Sequence, residues 1–268
     1  MTTLKSHRVS FAGSQGRQLG GIIDLPETKP IGFILMAHCF TCSKDLKASV
    51  RISRGFAELG WGVLRFDFAG LGNSQGDFAN TNFRTNRIDL LSAAGFLAAS
   101  HQAPCLLVGH SFGGATAMSV ANELESVQGV VTLATPSETS HLADVLVQLD
   151  PRIESEGNGS VTIGGRTFPI ARQMLEDFRQ YDLTKDIAEL RKPLLIFHSP
   201  TDGTVGYHHA MRIYSLVLQS NGPDKVRPEA SLITLPQSDH LLVNNPRDIP
   251  MIVAWISAWG KRLLPFPH

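Results

Sequence analysis

The stretch that decides the fold runs from Pro104 to Ala117, PCLLVGHSFGGATA. A short apolar run, Cys105 to Val108, is followed by Gly109-His110-Ser111-Phe112-Gly113-Gly114 and then by small helix-forming residues. The pattern predicts a strand, a sharp turn and a helix, with Ser111 at the apex. A serine hydroxyl is a weak nucleophile until a neighbouring base takes its proton, and it must stand clear of the backbone where base and substrate can both reach it. A strand-to-helix turn presents it that way, but forces strained backbone angles and brings strand and helix close together. Glycines two positions before and two positions after the serine relieve both problems. The competing reading is a glycine-rich turn whose serine only caps the helix.

Outward from this stretch the apolar runs recur at regular spacing. Ile31 to His38, Trp61 to Phe68, Gly129 to Ala134, Pro193 to His198 and Ser231 to Leu235 read as strands; the first is nearly continuous in apolar residues, the pattern of a strand buried on both faces. Helices are predicted over Ala48 to Leu59, Arg84 to Ser100, Phe112 to Leu124, Tyr207 to Leu218 and Arg247 to Trp259, the last with Ile252, Trp255, Ile256 and Trp259 on its apolar face. Lys5 to Ala12 and Gln18 to Leu25 form a hairpin across Gly13 to Gly16. The alternation argues for an α/β protein, a mostly parallel sheet covered by helices on both faces.

Ser137 to Asp182 breaks the rhythm with an apolar patch at Val145-Leu146-Val147, a charged segment from Arg152 to Glu156, and a hairpin from Ser160 to Ile170 turning at Gly164-Gly165. Residues 1–136 and 183–268 therefore make the core, and 137–182 a small cap insertion over the carboxyl end of the sheet, where open α/β sheets bind ligands. Within it Leu142, Val145, Leu146 and Leu149 are candidates for an acyl pocket, although core packing explains them equally well.

Two later loops supply partners for Ser111. Asp202 follows the Pro193 to His198 strand and His240 follows the Ser231 to Leu235 strand, so a parallel sheet opens both loops at the edge that carries the serine turn. His240 would take and return the Ser111 proton, and Asp202 would hold the imidazole tautomer and stabilise its charged form. Asp202 is preferred over the adjacent Asp239, whose side chain diverges from that of His240. Main-chain amides of Phe40 and Phe112 are the expected oxyanion donors. His38 is expected to shape the Phe40 loop, Asp67 and Ser74 to stabilise a turn, and His208-His209 to be a solvated pair.

With 268 residues the chain is long enough for a substantial core. Its formal net charge of zero offers no field for nucleic acid or an anionic membrane, which leaves a small, roughly neutral or amphipathic molecule as partner. The first residues carry no signal-peptide pattern and no apolar stretch reaches about 18 residues, so a cytoplasmic location is expected. Three cysteines, an odd number, fit a reducing compartment. Cys39 and Cys42 form a CxxC spacing, which raises a thiol-redox protein as an alternative; with no second pair, no metal site is expected, and the preferred reading is two reduced cysteines supporting the oxyanion loop. Neither Gly70-Leu71-Gly72 nor Gly113-Gly114 makes a phosphate-binding fingerprint, so no cofactor is expected.

Taken together, AHCFTCSKD (Ala37 to Asp45), RFDFAGLGNSQGDFANTNF (Arg65 to Phe83), GHSFGG (Gly109 to Gly114) and SPTDGTVG (Ser199 to Gly206) resemble the α/β-hydrolase superfamily, and more narrowly the hydrolase domains often fused to an OsmC-like peroxide-reductase domain. The resemblance spans nearly the whole chain. It implies the α/β-hydrolase fold and Ser111, Asp202 and His240 as the triad. One departure is His38-Cys39, where many members of the superfamily have His-Gly. The expectation is a serine hydrolase cleaving a small carboxylic ester or related acyl substrate, with a non-catalytic ligand-binding module of the same fold as a further alternative.

Overall fold

A computed structural model describes residues 4–219 and 229–264. The chain runs through β1 (Lys5–Ala12), β2 (Gln18–Leu25), β3 (Phe33–Ala37), α1 (Lys47–Glu58), β4 (Gly62–Phe66), α2 (Phe83–Ser100), β5 (Leu106–His110), α3 (Phe112–Val120) and β6 (Gly129–Leu133). It then passes through α4 (Ser140–Leu149), α5 (Arg152–Ser155), β7 (Asn158–Ile163), β8 (Arg166–Ala171), α6 (Arg172–Gln180) and α7 (Leu183–Ala188) before β9 (Leu194–His198), α8 (His208–Gln219), β10 (Ala230–Thr234) and α9 (Asp248–Leu263).

Eight strands form one sheet in the order β1-β2-β4-β3-β5-β6-β9-β10. The first two pairings, β1 with β2 and β2 with β4, are antiparallel, and all the others are parallel. Every residue of β3, β5, β6 and β9 is buried, and their side chains alternate between two cores. In β3, Phe33, Leu35 and Ala37 join the core under α2 and α3, while Ile34 and Met36 join the core under α1 and α9. That two-residue period is why an unbroken apolar run is a strand here: each face needs its own apolar set.

The helices correct three expectations. The first of them ends early: α3 stops at Val120 and gives way to a single 3-10 turn, Ala121–Glu123. On α9, Ile252 and Ile256 are buried, but Trp255 is 54% exposed because it falls at the margin of the arc that Ile249, Val253 and Gly260 complete. Between β6 and β9 the expected hairpin is present as β7 and β8, whereas the helices α4, α5 and α6 around it were not anticipated. The helix α6 is tied to the core by Asp177, which accepts from the Phe83 N–H at 2.9 Å and pairs with Arg84 at the start of α2. Gln173 adds donors to the Ala79 and Thr81 carbonyls at 2.8 and 3.0 Å. No described helix is long and apolar enough to cross a membrane.

Candidate active site

Ser111 sits between β5 and α3 with φ +52° and ψ −122°, a left-handed conformation that a non-glycine residue rarely adopts. Close packing holds it there. A Cβ on Gly109 would lie 2.4 Å from the Gly113 carbonyl oxygen, and a Cβ on Gly113 would lie 2.3 Å from the Ala37 carbonyl oxygen and 2.5 Å from that of His38. Only hydrogen fits at either position. The Ser111 N–H donates to Leu133 at 2.8 Å and its carbonyl accepts from Gly114 at 2.9 Å, so the turn is hydrogen-bonded on both sides.

The loops after β9 and β10 bring Asp202 and His240 to the same edge. His240 Nε2 lies 3.0 Å from the Ser111 hydroxyl, and His240 Nδ1 lies 2.8 Å from Asp202 Oδ2. The carboxylate can only accept, so Nδ1 carries the proton and Nε2 is left to accept from the hydroxyl. Burial alone pushes the Asp202 carboxyl up; the bond and charge of His240 and the Val205 and Thr204 amides outweigh it, holding the group below its ordinary range. Asp239 instead closes its own loop, accepting from the Val243 and Asn244 N–H groups at 2.7 and 2.9 Å.

Three strands that converge on this edge end in, or lead directly into, a buried histidine whose ring ties a loop to the sheet. His38 Nδ1 donates to the Cys39 carbonyl at 2.8 Å while its Nε2 accepts from the Phe68 N–H at 3.2 Å. His110 Nε2 donates to the carbonyl of His240 at 2.7 Å, and His198 Nε2 to the carbonyl of Val205 at 2.7 Å. Burial lowers all three, His110 to about 3 with the charge of His240 adding to the effect, so these rings are neutral near pH 7 and suited to holding backbone. Only His38 was anticipated in this role. The signal available for the other two was a histidine closing an otherwise apolar strand.

Around Phe40 the sequence reading needs correction. Cys39 and Cys42 are joined as a disulfide with their Cα atoms 5.3 Å apart; they are not a reduced pair. The reason is local: the Cys42 N–H donates to the Cys39 carbonyl at 3.1 Å, and the resulting tight turn brings the two residues within disulfide span. Cys105 is the free, buried cysteine. Among the described residues, neither the Phe40 nor the Phe112 main-chain N–H has an acceptor, and the two rings lie 5.8 Å apart. Phe178 of α6 packs on both, at 6.1 and 4.9 Å.

Beyond that turn the chain is fixed by buried charge. Lys44 Nζ donates to Asp67 at 2.8 Å and to Asn73 at 2.6 Å, and Arg65 donates to Asp24 at 3.0 Å and to the Lys44 carbonyl at 2.8 Å. Asp67 thus stabilises the loop, as anticipated, and Ser74 does so by accepting from the Gly20 N–H at 2.9 Å. The expected solvated histidine pair is split: His208 is exposed, but His209 is 2% exposed and its Nδ1 meets the Ser137 hydroxyl at 2.9 Å. The four α4 candidates also sit in different surroundings. Leu146 is core, Leu142 and Val145 are half-buried, and Leu149 is 53% exposed. Among the described residues no group of three or more His, Cys, Asp or Glu side chains is arranged to hold a metal ion.

Comparison with known proteins extends this picture. A family model described as alpha/beta hydrolase fold matches residues 32–156. The crystal structure of the esterase domain from a Rhodothermus marinus protein is 37% identical, with 97% of this chain and 98% of that one covered and a TM-score of 0.72. A curated relative, the mitochondrial palmitoyl-protein thioesterase ABHD10 of Rattus norvegicus, is 23% identical over 228 residues, 83% of this chain and 73% of its own. Est1E from Butyrivibrio proteoclasticus, solved with ferulic acid bound, shares the fold at a TM-score of 0.77 and 17% identity, over 95% of this chain and 99% of its own. An eight-stranded, mostly parallel sheet flanked by helices and a 37% identical relative matched over 98% of its solved domain agree: the chain belongs to the α/β-hydrolase superfamily, among esterase and thioesterase homologues.

Proposed function

We propose that the chain is a serine hydrolase that cleaves a small carboxylic ester, or a related acyl compound such as a thioester, through an acyl-enzyme on Ser111. The observation that carries this reading is the unbroken relay from Ser111 through His240 to Asp202, at 3.0 and 2.8 Å. As the Ser111 oxygen attacks the acyl carbon, His240 Nε2 takes its proton, and Asp202 stabilises the imidazolium. The tetrahedral oxyanion accepts from the main-chain N–H groups of Phe40 and Phe112. Collapse expels the alcohol or thiol, which leaves with the proton from His240. Water then repeats the sequence, releasing the carboxylic acid and restoring the hydroxyl. Metal and cofactor have no part in these steps.

The likeness to the Rhodothermus marinus esterase domain and to ABHD10 supports ester and thioester bonds as the class attacked. Residues 137–182 act as the cap in this proposal. Support comes from Phe178, which packs against both oxyanion residues, and from the half-buried Leu142 and Val145 as candidates to meet the acyl group.

An active-site-directed fluorophosphonate is expected to label Ser111, and Ser111→Ala to abolish both labelling and turnover across aryl esters and acyl thioesters of graded length. Turnover that survives Ser111→Ala sinks the proposal. Asp202→Asn, which leaves the histidine without its orienting anion, is expected to lower kcat by roughly 10²- to 10⁴-fold.

A further inference from the structure

The turn that carries Phe40 is closed twice, once by the hydrogen bond from the Cys42 N–H to the Cys39 carbonyl and once by the disulfide between the same residues. Inside it Thr41 has φ +59° while Phe40 keeps a negative φ, the pattern of a type II turn, whose third position normally belongs to glycine or asparagine. A β-branched residue there is strained by about 1 to 3 kcal/mol and persists only where its surroundings force it. The Thr41 hydroxyl donates to the Phe40 carbonyl at 2.6 Å, and His38 adds a second donor to the Cys39 carbonyl.

The Cys39 carbonyl and the Phe40 N–H belong to one trans peptide, so they point in opposite directions. Whatever holds that carbonyl against His38 and Cys42 therefore aims the Phe40 N–H away from them. The neighbouring α3 lies close by, with Gly113 against the Ala37 and His38 carbonyls.

We infer that the Cys39–Cys42 disulfide is a positioning element of the oxyanion hole, keeping a strained turn in the one arrangement that presents the Phe40 amide. This rests on the serine-hydrolase reading. The oxidised protein turns over ester faster than its dithiol form, because reduction frees Thr41 to relax to negative φ and loosens the amide. A dithiol reductant opens the bond by a balanced exchange. Its thiolate attacks the sulfur of Cys42, the more exposed of the pair, forming a mixed disulfide and releasing the Cys39 thiolate, which takes a proton from solvent. The second thiol of the reductant, as its thiolate, then closes that molecule's own disulfide and releases Cys42, whose thiolate is protonated in turn. Two electrons pass from reductant to protein.

The test measures kcat and KM on an aryl ester with the oxidised protein and after anaerobic incubation with dithiothreitol. Thiols are counted in denaturant after the reductant is removed: one for the oxidised form, Cys105, and three for the reduced form. Removing an oxyanion donor outright costs about 10²- to 10³-fold, so a loosened one is expected to lower kcat by about tenfold. KM should stay within about twofold and kcat should return on reoxidation with diamide. Cys42→Ser should reproduce the reduced kcat and ignore reductant. In Thr41→Gly, where positive φ carries no strain, the gap between oxidised and reduced kcat should shrink to about twofold or less. An unchanged kcat with three thiols counted overturns the inference while fluorophosphonate labelling keeps the Ser111 reading intact. A loss traced by circular dichroism to global unfolding also overturns it, since the bond is then only a fold staple. Absence of labelling in both forms removes the serine-hydrolase reading and this inference with it.

Discussion

Two turns at the carboxyl ends of the neighbouring strands β3 and β5 face the same small volume, and they solve one problem in different ways. Each places a non-glycine residue at positive φ, Thr41 at +59° and Ser111 at +52°. The Ser111 turn is held by packing, with Gly109 and Gly113 letting backbone approach backbone more closely than any Cβ allows. The Thr41 turn lacks such glycines and is held by a covalent bond and by the ring of His38. Strain that is packed in is as permanent as the fold, whereas strain that is cross-linked answers to the redox environment.

The largest expected effect comes from wedging the two turns apart. Gly113→Ala pushes a methyl group into two main-chain carbonyls that cannot rotate away, and should destabilise the protein by about 3 kcal/mol while reducing kcat by on the order of 10²-fold. Thermal unfolding and ester kinetics check both. A variant within a degree or two of the parent melting temperature contradicts a packing-held elbow. Next comes His38→Ala, which takes one donor from the Cys39 carbonyl. It is expected to lower kcat by about fivefold to tenfold, and to act more strongly on the reduced than on the oxidised protein, since the two restraints share one peptide. Equal effects in both forms would break the link between ring and disulfide.

The smallest effect lies outside both turns and serves as a control. His209 is held down to about 4 by burial, with the charges of His141 and His208 adding to it, against an ordinary value of 6.5. Between those values the unfolded chain binds a proton that the folded protein refuses, so stability is full above about 6.5 and is lost as pH falls toward 4. The loss should be on the order of 1 to 3 kcal/mol. His209→Gln should flatten it in urea unfolding at pH 7 and pH 4.5 without shifting the ratio of oxidised to reduced kcat.

The sequence carried the sheet because each central strand must feed two cores, and nothing but a double apolar alternation does that in five residues. It carried the convergence of Ser111, Asp202 and His240 because a parallel sheet leaves little freedom in where its loops open. It did not reveal α4 and α6, whose starts carry no side-chain cap to mark them; in α4 the apolar residues were legible as a patch but not as a helix. The disulfide was obscured by an argument from compartment: an odd cysteine count says nothing about a turn that brings two sulfurs together. Asp67 read as a turn residue, but its burial beside Lys44, and that of Arg65 with its partner Asp24, depends on residues distant in sequence. Trp255 and His209 were misjudged for a related reason. A helix face or a turn position fixes direction only to within a few tens of degrees, and the neighbours decide which side of that margin is covered.

The hydrogen bond from His110 to the main chain of His240 has a mechanical consequence. In the sheet two strands, β6 and β9, lie between the strand that ends in His110 and the one that leads to His240. Small sliding movements along each intervening seam would add up if the proposed base were attached only to its own strand. Instead its backbone is moored to the residue directly before Ser111. That bond couples the Ser111 turn to the His240 loop directly, so the spacing between the two side chains depends less on the seams between them.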